Sequence, residues 1–198
     1  MEVIFKTRIV NLDSRPERYK DIPEEMGKMG ITDYERFSAF EGGTMGSIKS
    51  HIEVLRGAEG NLLVCEDDVM FLRQARKIFD LAMSQIDDFN MVYLGGNVKG
   101  KAHRYSDNLF KLSDGGTHTN HAILYSEECR NKILEIYNYE TDEINVYDHW
   151  LHCVGQKMFG AYIISPMIAW QRPGYSDCRG GYMDYFMEMR SNEIDNMV

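Results

Sequence analysis

Three consecutive carboxylates, Glu66, Asp67 and Asp68, stand between the apolar runs 62–65 and 69–71. On an extended backbone Glu66 and Asp68 face one way and Asp67 the other. Two like charges about 4 Å apart repel by roughly 4 kcal/mol at an effective dielectric near 20. One carboxyl must therefore keep its proton, or a cation must sit nearby. Oxygen donors with no Cys or His pattern beside them suit Mg²⁺ or Mn²⁺. Acidic residues are equally at home in the first turn of a helix, where they face the positive end of the dipole. The triplet alone leaves both readings open.

Four other stretches carry chemistry. "IVNLDSRPERY" (9–19) ends an apolar run with Asn11, Asp13, Arg15 and Arg18. Two arginines three apart on a helix face can grip a phosphate or a carboxylate, or can simply be solvated. "GSIKSHIEVLR" (46–56) places Ser50 and His51 on a short helix. Neighbours on a helix do not face each other, so these two are not a nucleophile and its base. "YDHWLHC" (147–153) holds Asp148 and His152 at i, i+4 on one face. That spacing suits a base with its orienting partner, two metal ligands, or a helix-capping Asp with a surface His. "SPMIAWQRPGYSD" (165–177) brings Trp170, Gln171, Ser176 and Asp177 around a Pro173-Gly174 turn. An aromatic at a strand end can stack a base or a sugar, or belong to the core.

The elements that must hold these residues alternate strand and helix. Strands are predicted over 3–12, 34–40, 62–65, 91–94, 122–125 and 162–169, the last interrupted by Pro166. Helices are predicted after a Ser14/Glu17 capping box, over 47–58, over 71–86, after Ser126 with Cys129, Ile133 and Ile136 inward, and over roughly 145–154. The first of these breaks near Ile22 because Pro23 follows, and ends at Gly30. Residues 97–116 read as a polar active-site loop or hairpin, and 181–198 as a peripheral tail after one domain over 1–180. This alternation indicates an α/β fold with a mostly parallel sheet. Such sheets bind ligands beyond the carboxyl ends of their strands, where the triplet lies.

Composition agrees with a globular chain: 198 residues, 43% hydrophobic and 27% charged. A net charge of −9 argues against a broad nucleic-acid or anionic-membrane surface. A nucleic-acid acceptor is correspondingly disfavoured, although Lys99, Lys101, His103, Arg104 and Lys111 could form a local basic patch. No apolar run is long enough for a membrane span, and the start lacks the basic and apolar regions of a signal peptide. The four cysteines show no CxxC or zinc spacing. A reduced, cytoplasmic protein is the expectation.

"VNLDSRPER", "GSIKSH", "LVCEDDV" and "PMIAWQRPGYSD" together resemble the glycosyltransferases of family 25. That family includes lipooligosaccharide and collagen galactosyltransferases. "MVYLGG", "THTNHAILYS" and "VYDHWL" resemble its intervening segments, so the likeness spans about residues 3–178. Pro23 and the stretch 97–116 depart from the family pattern, and the chain is short for it. The resemblance implies a GT-A-like nucleotide-diphospho-sugar transferase fold, a UDP-sugar donor and transfer with inversion. It implies Mn²⁺ (or Mg²⁺) held by Asp68, with Asp177 as a second ligand. Asn11, Asp13, Arg15, Arg18, Ser50, His51, Glu66, Asp67 and Gln171 would shape the donor pocket. Asp148 would be the general base that deprotonates the acceptor, with His152 orienting or replacing it. The acceptor is a hydroxyl on a glycan, glycolipid, protein or modified base. A binding module of the same fold without turnover is the alternative; a metal-dependent phosphoesterase or nuclease using the same carboxylates is the third class.

Overall fold

The computed structural model describes residues 3–114, 116–141 and 146–197. In chain order the elements are β1 (Phe5–Leu12), α1 (Pro16–Tyr19), α2 (Ile22–Lys28), β2 (Glu35–Ala39), α3 (Gly43–Glu53) and β3 (Asn61–Glu66). β4 (Val69–Phe71), α4 (Ala75–Met83), β5 (Met91–Tyr93), β6 (Asn97–Val98), β7 (Lys101–Arg104) and β8 (Leu109–Asp114) follow. Then come β9 (Thr117–His118), β10 (Ala122–Tyr125), α5 (Glu127–Ile136) and α6 (Tyr147–Trp150), which runs through a π-helical stretch Leu151–Gly155 into α7 (Gln156–Phe159). β11 (Ala161–Ile164), β12 (Ala169–Gln171), β13 (Gly174–Ser176), β14 (Gly181–Met183) and α8 (Phe186–Asn196) complete the chain.

Eight strands form one sheet in the order β2-β1-β3-β10-β5-β11-β8-β7. The pairings set β2, β1, β3, β5, β11 and β7 in one direction and only β10 and β8 against them. The fold is thus α/β with a large, mostly parallel sheet. β3 explains why its apolar run is unbroken. Leu62 and Val64 enter a core with Ile48 and Ile52 of α3 and Ile133 of α5. Leu63 and Cys65 enter the opposite core with Met26 of α2 and Phe79 of α4. A strand covered on both faces has no solvent side to make polar. None of the described helices is long and apolar enough to cross a membrane.

Several predicted elements differ. Ser14 does not cap the first helix; its hydroxyl donates to Glu41 Oε1 at 2.6 Å, and Arg15 takes the N-cap position with no side-chain cap. The helix predicted from Phe71 begins at Ala75, because residues 69–71 pair with β12 instead. Ser126 does cap α5, accepting from Cys129 N at 3.1 Å, but Ile136 is exposed. The helix predicted from Asn145 is described only from Tyr147, and it continues to Phe159. The strand predicted over 162–169 is two, β11 and β12, parted by a cis Ser165–Pro166 bond. Residues 97–116 do include a hairpin, β7–β8, but it forms the far edge of the sheet. The tail contains a docked helix: Met189 is fully buried, Glu193 Oε1 accepts from Met167 N at 2.6 Å, and Asn196 Nδ2 donates to Val98 O at 3.1 Å.

Candidate active site

β1, β2 and β3 are parallel neighbours, so Leu12, Ala39 and Glu66 end at the same edge of the sheet. A pocket of about 580 Å³ opens there, and all three residues line it. The opposite wall is the segment 171–178, carried back over the strand ends by β12 and β13. α3 is locked to the end of β2 by Ser50, whose hydroxyl donates to Gly46 O at 2.7 Å and accepts from Phe40 N at 2.8 Å. Gly46 itself has no room for a side chain, since a Cβ there would collide with the Phe40 carbonyl.

The carboxylate triplet reaches this pocket with three different sets of partners. Glu66, the last residue of β3, accepts from His51 Nε2–H at 2.8 Å and from Gln171 Nε2 at 3.4 Å. His51 is buried and stacks on Tyr147 at 5.7 Å and 22°. Asp67 accepts from Asn11 Nδ2 at 2.6 Å and from Arg18 at 3.4 Å. Asn11 is fixed in turn by Arg36, whose Nε donates to its Oδ1 at 2.8 Å. Asp68 has no such partner: among the described residues nothing donates to its buried Oδ1. Its own carbonyl is tied to Arg172 N at 2.7 Å, which pins the backbone and aims the carboxyl.

The electrostatics follow from these partners. Burial pushes the Glu66 carboxyl up, but the His51 hydrogen bond and the charges of His51, His121 and Arg18 outweigh it, so the group titrates below the usual range. Burial raises Asp67, against the pull of Asn11 and Arg18. Burial, then the charges of Glu66 and Asp67, hold Asp68 well above the usual carboxylate range. Of the three, Glu66 therefore ionises most readily and Asp68 holds its proton to the highest pH, until a cation offsets its charge.

Three arginines share the lining with the triplet. Arg15 donates to Asp177 Oδ1 at 2.7 Å and lies 5.5 Å from the centre of the Tyr175 ring. Arg18 bridges Asp67 and the Tyr175 carbonyl. Arg172 pairs with Asp21 and with the buried Glu25, whose Oε2 accepts from Phe71 N at 2.7 Å. The pocket thus carries an unmatched carboxylate oxygen beneath guanidinium groups, which is what a metal–diphosphate pair needs on its two sides. Among the described residues no three His, Cys, Asp or Glu side chains converge as a protein cage for a metal would require. Glu66, Asp67 and Asp177 each hold a side-chain partner, whereas the buried Asp68 Oδ1 has none among the described residues. Such a donor set fits a hard divalent ion that takes one or two carboxylates and completes its shell with phosphate oxygens and water.

Of the residues singled out in the sequence, Arg15, Arg18, Ser50, His51, Glu66, Asp67, Asp68, Gln171 and Asp177 line the pocket. Asn11 lies buried beneath it, and Asp13 is held outside by Arg36 at 2.6 Å and Ser38 at 2.7 Å. Asp148 and His152 do not line it. His152 stacks on His118 at 4.1 Å, and burial, then the His118 charge, lowers it to about 4. Asp148 acts on the pocket wall from nearby, its charge adding to those that raise the Cys178 thiol, after burial. Trp170 is core, tilted against Phe186 at 5.0 Å. Tyr147, Arg172, Glu25 and Tyr175 were not foreseen as parts of the site. Arg172 and Tyr175 had a signal in their place inside the "QRPGYSD" stretch, and Tyr147 in its place at the head of "YDHWLHC"; Glu25 had none.

No protein-family model and no curated protein matches the chain. Among solved structures, A197 from STIV is similar at 13% identity and a TM-score of 0.49, over 90% of this chain and 92% of that one. A glycosyltransferase involved in glycosylation of the major capsid of PBCV-1 is similar at 10% identity and 0.43, over 74% and 72%. The inositol-1-phosphate CTP transferase from T. maritima is similar at 12% identity and 0.45, over 99% of both chains. Likenesses this distant carry no weight for the site, which rests on its own geometry.

Proposed function

We propose that this chain is a metal-dependent glycosyltransferase with a GT-A-like fold, moving a hexose from a UDP-sugar to an acceptor hydroxyl with inversion. The observation that carries the reading is Asp68: a carboxyl oxygen buried without a partner, at the carboxyl end of a central strand, facing a pocket lined with arginines. The choice of uridine and hexose rests on the resemblance of the four motifs. Asp68 would hold Mn²⁺ or Mg²⁺ together with the donor's diphosphate, and Asp177 would join it once Arg15 lets go. When bound, such an ion offsets the negative charge that grows on the departing diphosphate. Arg15 and Arg18 grip the phosphate oxygens by charge-assisted hydrogen bonds. Glu66, kept ionised and oriented by His51 and Gln171, accepts hydrogen bonds from donor hydroxyls. Asp148 receives the acceptor proton, and His152, neutral at pH 7, stands one turn away on the same helix.

A panel of UDP-sugars, GDP-mannose and CMP-sialic acid, with and without Mn²⁺, tests the reading by UDP, GDP or CMP release. Metal-dependent UDP release from one UDP-hexose is the expected result. Phosphate release from p-nitrophenyl phosphate with no response to any nucleotide sugar would instead establish the phosphoesterase. Tight donor binding with no release in any acceptor mixture would establish the binding module. Arg15 and Asp177 closed on each other are the feature that favours this second reading.

A further inference from the structure

We infer that the β13–β14 hairpin is the acceptor platform of the pocket, and that it takes a neutral oligosaccharide chain through the faces of Tyr175 and Tyr182. The inference deepens the proposed function and rests on it for the word acceptor, not for the binding itself.

Tyr175 and Tyr182 are directly opposite in the antiparallel register, so their side chains leave the hairpin on the same face. Both are open to solvent, at 48% and 73%. Large aromatic side chains are costly to leave exposed, and an exposed pair at a pocket rim marks a binding surface. Tyr175 lines the pocket as well as the hairpin, so the platform is continuous with it. Across the mouth stands Phe40, also in the lining and 45% exposed. The two lips nearly touch: a Cβ on Gly43 would lie 3.3 Å from Asp177 O.

The hairpin holds the Tyr175 ring steady. Arg15 packs over the Tyr175 ring and Arg18 binds the Tyr175 carbonyl, so α1 braces the first strand. The four-residue turn closes through Gly180 N to Ser176 O at 2.8 Å, with Gly180 at φ +65°. A rigid, flat phenol matches the flat, C–H-rich face of a pyranose ring, while its hydroxyl and neighbouring carboxylates meet sugar hydroxyls. The pocket end of the hairpin is basic, with Arg15, Arg18 and Arg172 in the lining, but the Tyr182 end is not: along 176–185 the only basic residue in the sequence is Arg179, between Asp177 and Asp184. Strand binding by stacking needs a basic groove that continues along the phosphates, and the outer end of the hairpin offers it one arginine.

The full-length protein is applied to an array of neutral oligosaccharides (gluco-, galacto-, manno- and chito-oligomers of two to six units), with the single strand dT12 as counter-probe. Binding to at least one oligosaccharide series is expected, lost tenfold or more in Tyr182→Ala and retained in Tyr182→Phe at equal melting temperature. Tyr105→Ala removes another half-exposed tyrosine, on the turn between β7 and β8, and is expected to bind like the parent. Absence of binding to every neutral series overturns the inference. So does parent-like binding by Tyr182→Ala, or tyrosine-dependent capture of dT12 in place of sugars. Tyr182-dependent sugar binding without any response to nucleotide sugars would sink the transferase while leaving the platform standing.

Discussion

The three carboxylates of one turn differ in charge because each meets a different neighbour. Glu66 has a histidine, Asp67 an amide and a guanidinium, and Asp68 an oxygen with nothing opposite. The raised Asp68 carboxyl makes cation binding a proton-releasing event. Its folded state binds a proton that the unfolded chain has lost, so between the ordinary carboxylate range and the raised folded value the apo protein loses stability as pH rises. Glu66 has the opposite sign: its stabilisation is present above the unfolded value near 4.5 and is lost as pH falls through the lowered folded value. Asp68→Asn is therefore expected to abolish transfer while leaving the metal-free protein at least as heat-stable as the parent at pH 8. Calorimetry of Mn²⁺ plus UDP binding in buffers of different ionisation heat is expected to show proton release in the parent and none in Asp68→Asn. A stable variant with full turnover in EDTA would overturn the assignment. The triplet was legible in the sequence because carboxylates at a buried strand end pose an electrostatic question by themselves. Which of the three is bare was not, since Asn11, His51 and Gln171 come from 15 to 105 residues away.

At the scale of elements, the periodicity identified β10 to the residue and most helices to within a few positions. It failed where long-range pairing competes with local preference: Val69 to Phe71 follow β12, and Ser14 follows Glu41. The segment 171–178 was visible as a turn carrying Gln171, Ser176 and Asp177, but not as a pocket wall, because its shape comes from Arg15, Arg18 and α2 rather than from its own residues. Those ties mean that donor binding must exchange partners. Arg15→Ala is expected to weaken UDP binding by about 1.5–3 kcal/mol, the usual loss for a hydrogen bond to a charged group. Part of this is recovered because Arg15 no longer has to leave Asp177. Titration calorimetry reads it, and unchanged affinity would leave Arg15 as a structural tie alone. α6 sets a second test. Asp148→Asn is expected to lower kcat at least about a hundredfold with donor affinity little changed. Asp148 lies in the first turn of α6, behind the N-cap Val146, so a mere helix-dipole role predicts a small loss of stability and near-normal kcat. In that case the base moves to His152 or to Asp177.

The whole molecule consists of two apolar cores on opposite faces of one sheet, joined along its carboxyl edge by polar side chains. His51 and Tyr147 belong to the α3 side, Arg18, Asp21 and Glu25 to the α2 side, and Glu66 to Asp68 to the strand between them. A ligand that engages Asp68 and the arginines together therefore links both layers and stabilises the native state against the unfolded one. At about 100 times its Kd such a ligand adds roughly 2.7 kcal/mol. For a domain of this size each kcal/mol moves Tm by about 2–4 °C, so the shift is expected to be about 5–11 °C. UDP and Mn²⁺ together are expected to exceed the sum of either alone, because UDP finds no cation at Asp68 without the ion, and the ion lacks its phosphate oxygens without UDP. Differential scanning calorimetry at pH 7.5 measures all four conditions on the same protein. Additive shifts would mean that the two ligands do not share Asp68. An equal synergy in Asp68→Asn would mean that they meet elsewhere, and the pocket at the end of β3 would lose its claim to the diphosphate.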